Sequence, residues 1–370
     1  MFKQKKVEVL VKGAYGAKNF GDDALQHYLI EWFKQNKYNV AFITKKANYL
    51  NNLFPNTVLF SQETAFNIKA KTLILGGGTQ FFGFKKISTQ QKLLFYFKHF
   101  SLSKLFFTFQ KRVLKKEMSA EKSIGLGLGL GPFKVNSSQF LSAKKQVSQL
   151  DKVFTRDRLS FEFSKAINPK TQQFIDICFL PEIIDFSIFK SKKNKVKKVG
   201  VIVRDWNLSN EGKEYYNKLQ EQVKELESQG YSTTYILFKP EVYWENYLTE
   251  NKINYLRWDP EIMSIQDFLK TLSQFDLMVS ARFHGLIFSS LLGIPCISIA
   301  VEQKLEIIKE ILPNSLQIWP YPFTDKLIDK IKYVDENYNL VKSVLEKEVI
   351  SNQQIAEKMF TRLDHILKQA

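Results

Sequence analysis

Short apolar runs and longer stretches of helical period alternate along the chain. The runs Val7 to Lys12, Val40 to Thr44, Thr72 to Leu75, Lys122 to Leu130 and Val153 to Thr155 predict strands. After the first of them, Asp23 to Gln35 carries Leu25, Leu29, Trp32 and Phe33 at the spacing of one buried helical face. A second alternating set begins at Val199. It predicts strands at Val199 to Val203, Thr233 to Leu237, Asn254 to Leu256, Leu277 to Val279 and Cys296 to Ala300. Helices are predicted at Gly212 to Ser228, Ile265 to Gln274, Leu286 to Leu292 and Lys304 to Leu312, and the tail from Tyr338 to Lys368 keeps a helical period. Strands alternating with helices imply an α/β fold with parallel sheets covered on both faces. The lysine-rich stretch 187–198 reads as a linker between a first domain, 1–186, and a second, 199–370, which ends in the terminal helix. Two doubly wound domains would then face a cleft, with ligands at the carboxyl ends of the strands.

Composition narrows this picture. The chain has 370 residues and a formal charge of +17, and only two cysteines, Cys178 and Cys296, both in apolar runs. They read as core residues rather than a disulfide framework, which favours a reducing, cytoplasmic setting. No signal-peptide pattern is expected at the start, and no run reaches the ~20 apolar residues that span a bilayer. The positive charge is concentrated: residues 83–116 contain no acidic residue, and lysines alternate there with phenylalanines. Such a segment could stack on nucleic-acid bases or equally lie on an anionic membrane surface, and packing on the first domain with its lysines in water is the plainer explanation.

Chemistry-bearing residues gather at the predicted strand ends. Between the first strand and helix lies Gly13 to Asp23, with Gly16, Asn19, Asp22 and Asp23. Its glycine spacing is not that of a dinucleotide site, and its carboxylates suit sugar hydroxyls better than phosphate. The alternative is that Asp22 or Asp23 only caps the helix. Gly76-Gly77-Gly78 ends another strand and could present amides to an anion. The run Gly125 to Gly131 predicts a strand with one face stripped of side chains, best explained by close packing. Arg156 follows a strand and has the fork that suits carboxylate or phosphate, or a structural pair with an aspartate. Finally, Ser280 to Gly285 delivers Arg282 and His284 to a strand end, where period-two alternation would put them on one side with Phe283 opposite. Lys304 follows the next strand. His27, His99 and His365 lack such neighbours and read as ordinary packing or surface residues. No metal-ligand spacing of histidine, cysteine and carboxylate is present in the sequence.

The ordered set resembles the polysaccharide pyruvyltransferase family. The resemblance rests on Asn19 to Asp23, Gly76 to Gly78, Gly127 to Pro132, Arg156 to Ser160, Asp176, Ser280 to Leu286 and Gly293 to Pro295. It implies a GT-B-like architecture of two Rossmann-like domains. It also implies phosphoenolpyruvate as donor substrate, with no further cofactor and no metal, and a glycan acceptor, often lipid-linked, met at the inner face of the membrane. The product would be a cyclic ketal on two sugar hydroxyls. By the same resemblance Arg156, Arg282, His284 and Lys304 map to the donor, with His284 as general acid or base. Asn19, Asp22, Asp23, Gly16, Gly77 and Gly78 fall to the acceptor side. One departure stands out: Ala300, Val301 and Glu302 occupy positions where the family shows an aromatic and an aspartate before the lysine.

Two other functions fit parts of the chain. A sugar-nucleotide glycosyltransferase on the same fold could use Glu302 and Glu310, although Glu302, Glu306 and Glu310 recur as a solvated helix face would. A non-catalytic membrane or nucleic-acid binder would act through 83–116, and the lipid-linked acceptors that the resemblance implies favour the membrane, with no nucleic acid expected.

Overall fold

The computed structural model describes residues 5–45, 48–61, 68–81, 119–133, 135–189, 193–206, 210–302 and 304–369, without the side chains of 79–81, 210, 211 and 304. The basic aromatic segment 83–116, with His99, lies outside the described residues.

The first half builds strands β1 (Lys5–Lys12), β2 (Val40–Thr44), β3 (Val58–Ser61), β4 (Ile68–Gly76), β5 (Thr79–Phe81), β6 (Ser119–Leu130), β7 (Lys152–Thr155) and β8 (Thr171–Gln173). Helices α1 (Phe20–Gln35), α2 (Tyr49–Leu53), α3 (Ser138–Ser148) and α4 (Arg158–Lys165) accompany them. All pairs are parallel, in the order β3-β2-β1-β4-β6-β7-β8, with β5 beside β6. The second half places β9 (Lys198–Val203), β10 (Ser232–Leu237), β11 (Tyr255–Arg257), β12 (Leu277–Ser280), β13 (Cys296–Ala300) and β14 (Gln317–Pro320) in a second parallel sheet, ordered β11-β10-β9-β12-β13-β14. Its helices are α5 (Asn210–Ser228), α6 (Val242–Glu250), α7 (Ile265–Leu272), α8 (Phe283–Leu291), α9 (Lys304–Ile311), α10 (Leu327–Glu336) and α11 (Tyr338–Lys368). The central strands β12 and β13 are buried along their whole length, as parallel strands covered on both faces must be. Cys178 and Cys296 are free and buried. Among the described residues no helix is long and apolar enough to cross a membrane.

The predicted strands all form, and short strands that the pattern did not mark, such as β3, β8 and β14, extend the sheets. The glycine run in β6 departs from simple alternation. Gly127 has φ +59° and the register with β7 shifts between Gly125 and Leu128, so both faces of the run are buried. The space left by missing side chains is filled by Leu128 at Gly125, Ile177 at Gly127 and the Arg156 guanidinium at Gly129.

The two halves are locked at the start of α1. This helix begins at Phe20, three residues before the predicted start. The Phe20 amide donates to the Phe238 carbonyl at 2.8 Å, and its fully buried ring enters the second half. Phe238, Trp258, Phe268 and Phe288 surround it, with centroids 4.7–5.2 Å away, mostly edge to face. Three residues on, Asp23 accepts from Tyr49 Oη of its own half at 2.7 Å and from Trp258 Nε1 of the other at 2.9 Å. At the far end, α11 returns to the first half: Phe360 packs on Trp32, and Tyr38 Oη donates to Asp364 at 2.8 Å.

Two expectations follow. Phe20→Ala should lower unfolding stability by about 3–5 kcal/mol in denaturant titrations, because the aromatic socket cannot collapse. Burial pushes the Asp23 carboxyl up from its ordinary value to about 7, against the hydrogen bonds from Trp258 and Tyr49. The folded state therefore holds a proton that the unfolded chain has released, and the contribution of Asp23 to stability falls as pH rises from about 4 to about 7. Melts of wild type and Asp23→Asn across that window should show their difference moving in favour of the asparagine, by at most about 1.4 kcal/mol per pH unit.

Candidate functional site

A cleft of ≈ 320 Å³ opens where the carboxyl ends of the two sheets meet. Asn19, Asp22, Lys45 and Arg156 line it from the first half, and Arg204, Phe238, Lys239, Arg282, Phe283 and His284 from the second. Each element delivers its residue by position. Asn19 precedes α1 and its amide donates to Asp22 at 2.6 Å. Arg156 follows β7, Arg204 follows β9, and Lys239 lies two residues past β10. Arg282 is the N-cap of α8, with Phe283 and His284 in the first helical turn. Strand alternation does not carry Arg282 and His284: β12 ends at Ser280, and the start of α8 turns both into the cleft. Phe283 is not on the opposite side. It also faces the cleft, with the Arg156 guanidinium 4.1 Å from its ring centroid.

His284 sits where the halves touch. A Cβ added at Gly21 would lie 2.2 Å from His284 Nδ1, so only glycine lets the ring pack against the start of α1. Its Nε2 faces Asp176 Oδ2 at 3.7 Å. Asp176 is fully buried, accepts from Arg156 Nη1 at 2.8 Å and takes the Cys178 amide at 3.1 Å. Burial alone would raise its carboxyl. The facing His284 imidazole, then Arg156 and the Cys178 amide, outweigh burial and hold it well below the usual range. Arg156, Asp176 and His284 thus form a chain of charge from one half to the other. Asp176 belonged to the sequence resemblance, but no role could be read for it there.

The other arginines are also paired. Arg282 is buried, with Glu241 as ion-pair partner and the Val203 carbonyl at 3.3 Å from Nε. Burial first, then Arg204, pushes it down to about 9. Arg204 pairs with Glu302 and lies over the Trp206 ring at 4.5 Å. Glu302 is therefore not on a solvated helix face: it is buried, precedes α9, and is committed to Arg204, while Glu310 accepts from the Arg158 amide at 3.2 Å. Arg204, Lys239 and Glu241 were missed in sequence because the motifs around them are short and carry no glycine signature.

Several expected acceptor residues lie elsewhere. Asp23 points away from the cleft, since one helical step from Asp22 turns it into the interface, and both its oxygens are engaged. Gly16 turns the loop beside the Lys45 backbone and does not line the cleft. Gly77 packs under Leu25 and Ile177, with its amide spent on the Leu126 carbonyl. Gly78 borders Asp22 from below, giving its carbonyl to the Gly129 amide. Lys304 opens α9, and its side chain is outside the described residues.

Asp176, Cys178 and His284 bring their ligand atoms within 4.8 Å of one another, a grouping hidden in the sequence. The donor set fits a metal ion poorly. Arg156 already neutralises the carboxylate, and burial, then Asp176, pushes the Cys178 thiol far above its ordinary value. What the cleft offers is a set of fixed cations, a histidine held by a carboxylate, and an amide–carboxylate pair that can hydrogen-bond hydroxyls.

Among solved structures, S. aureus MnaA in complex with UDP superposes with a TM-score of 0.60 at 8% identity, covering 99% of this chain and 98% of that one. A glycosyltransferase from Rickettsia africae gives 0.54 at 12% identity, with 98% of each chain covered. Likeness at this identity establishes the GT-B fold alone. Among curated proteins no sequence matches. The polysaccharide pyruvyl transferase family model matches residues 19–303, from the start of the α1 turn to the end of the segment after β13. The chain belongs to the polysaccharide pyruvyl transferase family.

Proposed function

We propose that the protein moves the pyruvyl group of phosphoenolpyruvate onto two hydroxyls of a sugar in a cell-surface polysaccharide precursor, forming a ketal and releasing phosphate. The observation that carries this reading is the convergence of Arg156, Arg282, Arg204 and Lys239 on a small cleft that also holds His284. A donor with one carboxylate and one phosphate needs several cations, and a vinyl carbon needs a proton.

In this reading His284, charged beside Asp176, protonates the methylene carbon of the donor, and the adjacent carbon becomes electrophilic. The first sugar hydroxyl adds to that carbon, and His284 takes up the hydroxyl proton. Phosphate then leaves with its bonding electrons, and the second hydroxyl closes the ring and loses its proton to the departing phosphate. The arginines stabilise the charge that develops on the carboxylate and phosphate. Asn19 and Asp22 hold the hydroxyls from the opposite wall. Asp176 does not touch substrate in this scheme and acts as the positioning residue of His284. The acceptor would be met on the cytoplasmic side, with lipid-linked glycans as the first candidates.

Purified protein with phosphoenolpyruvate and a panel of lipid-linked and nitrophenyl glycosides should release phosphate and add one pyruvyl ketal to an acceptor. His284→Ala should reduce that rate by ~10²–10⁴-fold, and a rate within a factor of two of wild type would remove His284 from the mechanism. Asp176→Asn should lower kcat with the KM for phosphoenolpyruvate little changed, since the imidazole loses the carboxylate that orients it. A purely structural Asp176 would instead raise KM as kcat falls, because the whole cleft would loosen.

A further inference from the structure

The second sheet ends in a row of charge. Neighbouring parallel strands β10, β9 and β12 are in register at their carboxyl ends, Leu237 opposite Val203 and Ile202 opposite Ser280. Lys239, Arg204 and Arg282 follow those three ends within two residues, so strand spacing alone sets them side by side, about 5 Å per step. Each arginine has a buried glutamate of its own, Glu302 for Arg204 and Glu241 for Arg282. Across the cleft Arg156 has Asp176. Lys239 is half-buried, lines the cleft and forms no ion pair among the described residues.

We propose that Lys239 is the half-buried cation of the cleft that no carboxylate compensates among the described residues, and that it grips the phosphoryl group of the donor. The identification of the anion as a donor phosphate rests on the function proposed above, whereas the anion site does not. Three neutralised arginines orient a ligand by their forks but add little net attraction, because each charge is already matched. A strongly negative group gains most from a cation that nothing else satisfies.

The charged surroundings of Lys239 point the same way. Arg204 follows the neighbouring strand and Arg282 the strand beyond it, and both act on the amine more strongly than Asp205 of the β9 loop and Asp22 of α1. Glu241 follows it in sequence but is bound to Arg282. Lys45, Arg156 and His284 share the same cleft. Burial first, then Arg282 and Arg204, push the Lys239 amine down to about 8. An empty cleft therefore holds this lysine part-deprotonated at neutral to mildly basic pH, and a bound dianion restores its proton.

Inorganic sulfate is the probe, because its charge is constant from pH 7 to pH 9. Isothermal titration of wild type should show affinity falling about tenfold across that range, the change in charged fraction of an amine with a pKa of about 8. Lys239→Arg, charged throughout, should bind sulfate with no such fall. Lys239→Met should bind weakly at both pH values and meet the wild-type value at pH 9. Its unfolding midpoint should be at or above wild type, because a half-buried cation repelled by Arg282 and Arg204 is gone, so weak binding would not reflect a damaged fold. A tenfold fall that persists in Lys239→Met would move the titrating group to Arg282 and overturn the proposal, as would undiminished sulfate affinity in that variant. The sulfate result is independent of turnover. If it holds while no acceptor supports phosphate release from phosphoenolpyruvate, the anion site stands and the donor assignment falls.

Discussion

The burial of Phe20 in the opposite half is the constraint on which the site depends. The ring sits among four aromatic side chains of the second half, and the Phe20 amide is bonded to a backbone carbonyl there. Losing a buried aromatic of this kind costs several kcal/mol, more than any surface ion pair between the halves could restore. Because the helix that begins at Phe20 is pinned, the next residue, Gly21, is pinned against His284. The histidine of one half is then presented to Asp176 of the other. A carboxylate on a separate, loosely hinged body could not hold an imidazole in one orientation. The aromatic socket therefore fixes where His284 stands relative to Asp176.

The electrostatics follow from the same closure. Buried guanidinium groups are costly unless paired, and the cleft meets that cost by giving Arg156, Arg204 and Arg282 one carboxylate each. Paired arginines stay where they are whether or not a ligand is present, so the cleft is organised before anything binds. Organisation in advance is what makes fixed charges effective on a developing negative charge. The penalty is that little net positive charge remains, and what remains is concentrated on lysines.

Much of this was legible in the sequence, and the limits have physical causes. The two parallel sheets could be read from apolar runs alternating with helical periods, since strands buried on both faces advertise themselves. The short edge strands could not, because three or four residues carry no period. Arg282, His284, Asn19 and Asp22 were found because they adjoin glycines after a strand, and Arg156 because it directly follows one. Asp23 was misplaced because adjacent residues at a helix start face directions about 100° apart, and which of the two faces a cleft depends on where the helix begins. Asp176 and Glu241 were silent because a buried carboxylate that holds a cation looks in sequence like any other acid. Lys304 and the segment 83–116 were singled out in sequence, and the described side chains do not reach them.

The fold itself leaves the chemistry open, since a protein solved with UDP shares it at 8% identity and a glycosyltransferase at 12%. The distinction lies in what fills the strand ends. A nucleotide base is held by stacking on an exposed aromatic face or by apolar walls. Here the two aromatic rings of the cleft are both engaged: Arg156 covers Phe283, and Phe238 packs on Phe20. The remaining lining is mainly charged, within ≈ 320 Å³. In the function proposed above a compact polyanion would use those groups and a sugar hydroxyl pair would use Asn19 and Asp22, whereas a base stacked on the face of Phe283 that Arg156 covers would displace that guanidinium. The Arg156–Phe283 contact thus weighs against a stacked nucleotide such as the UDP of S. aureus MnaA.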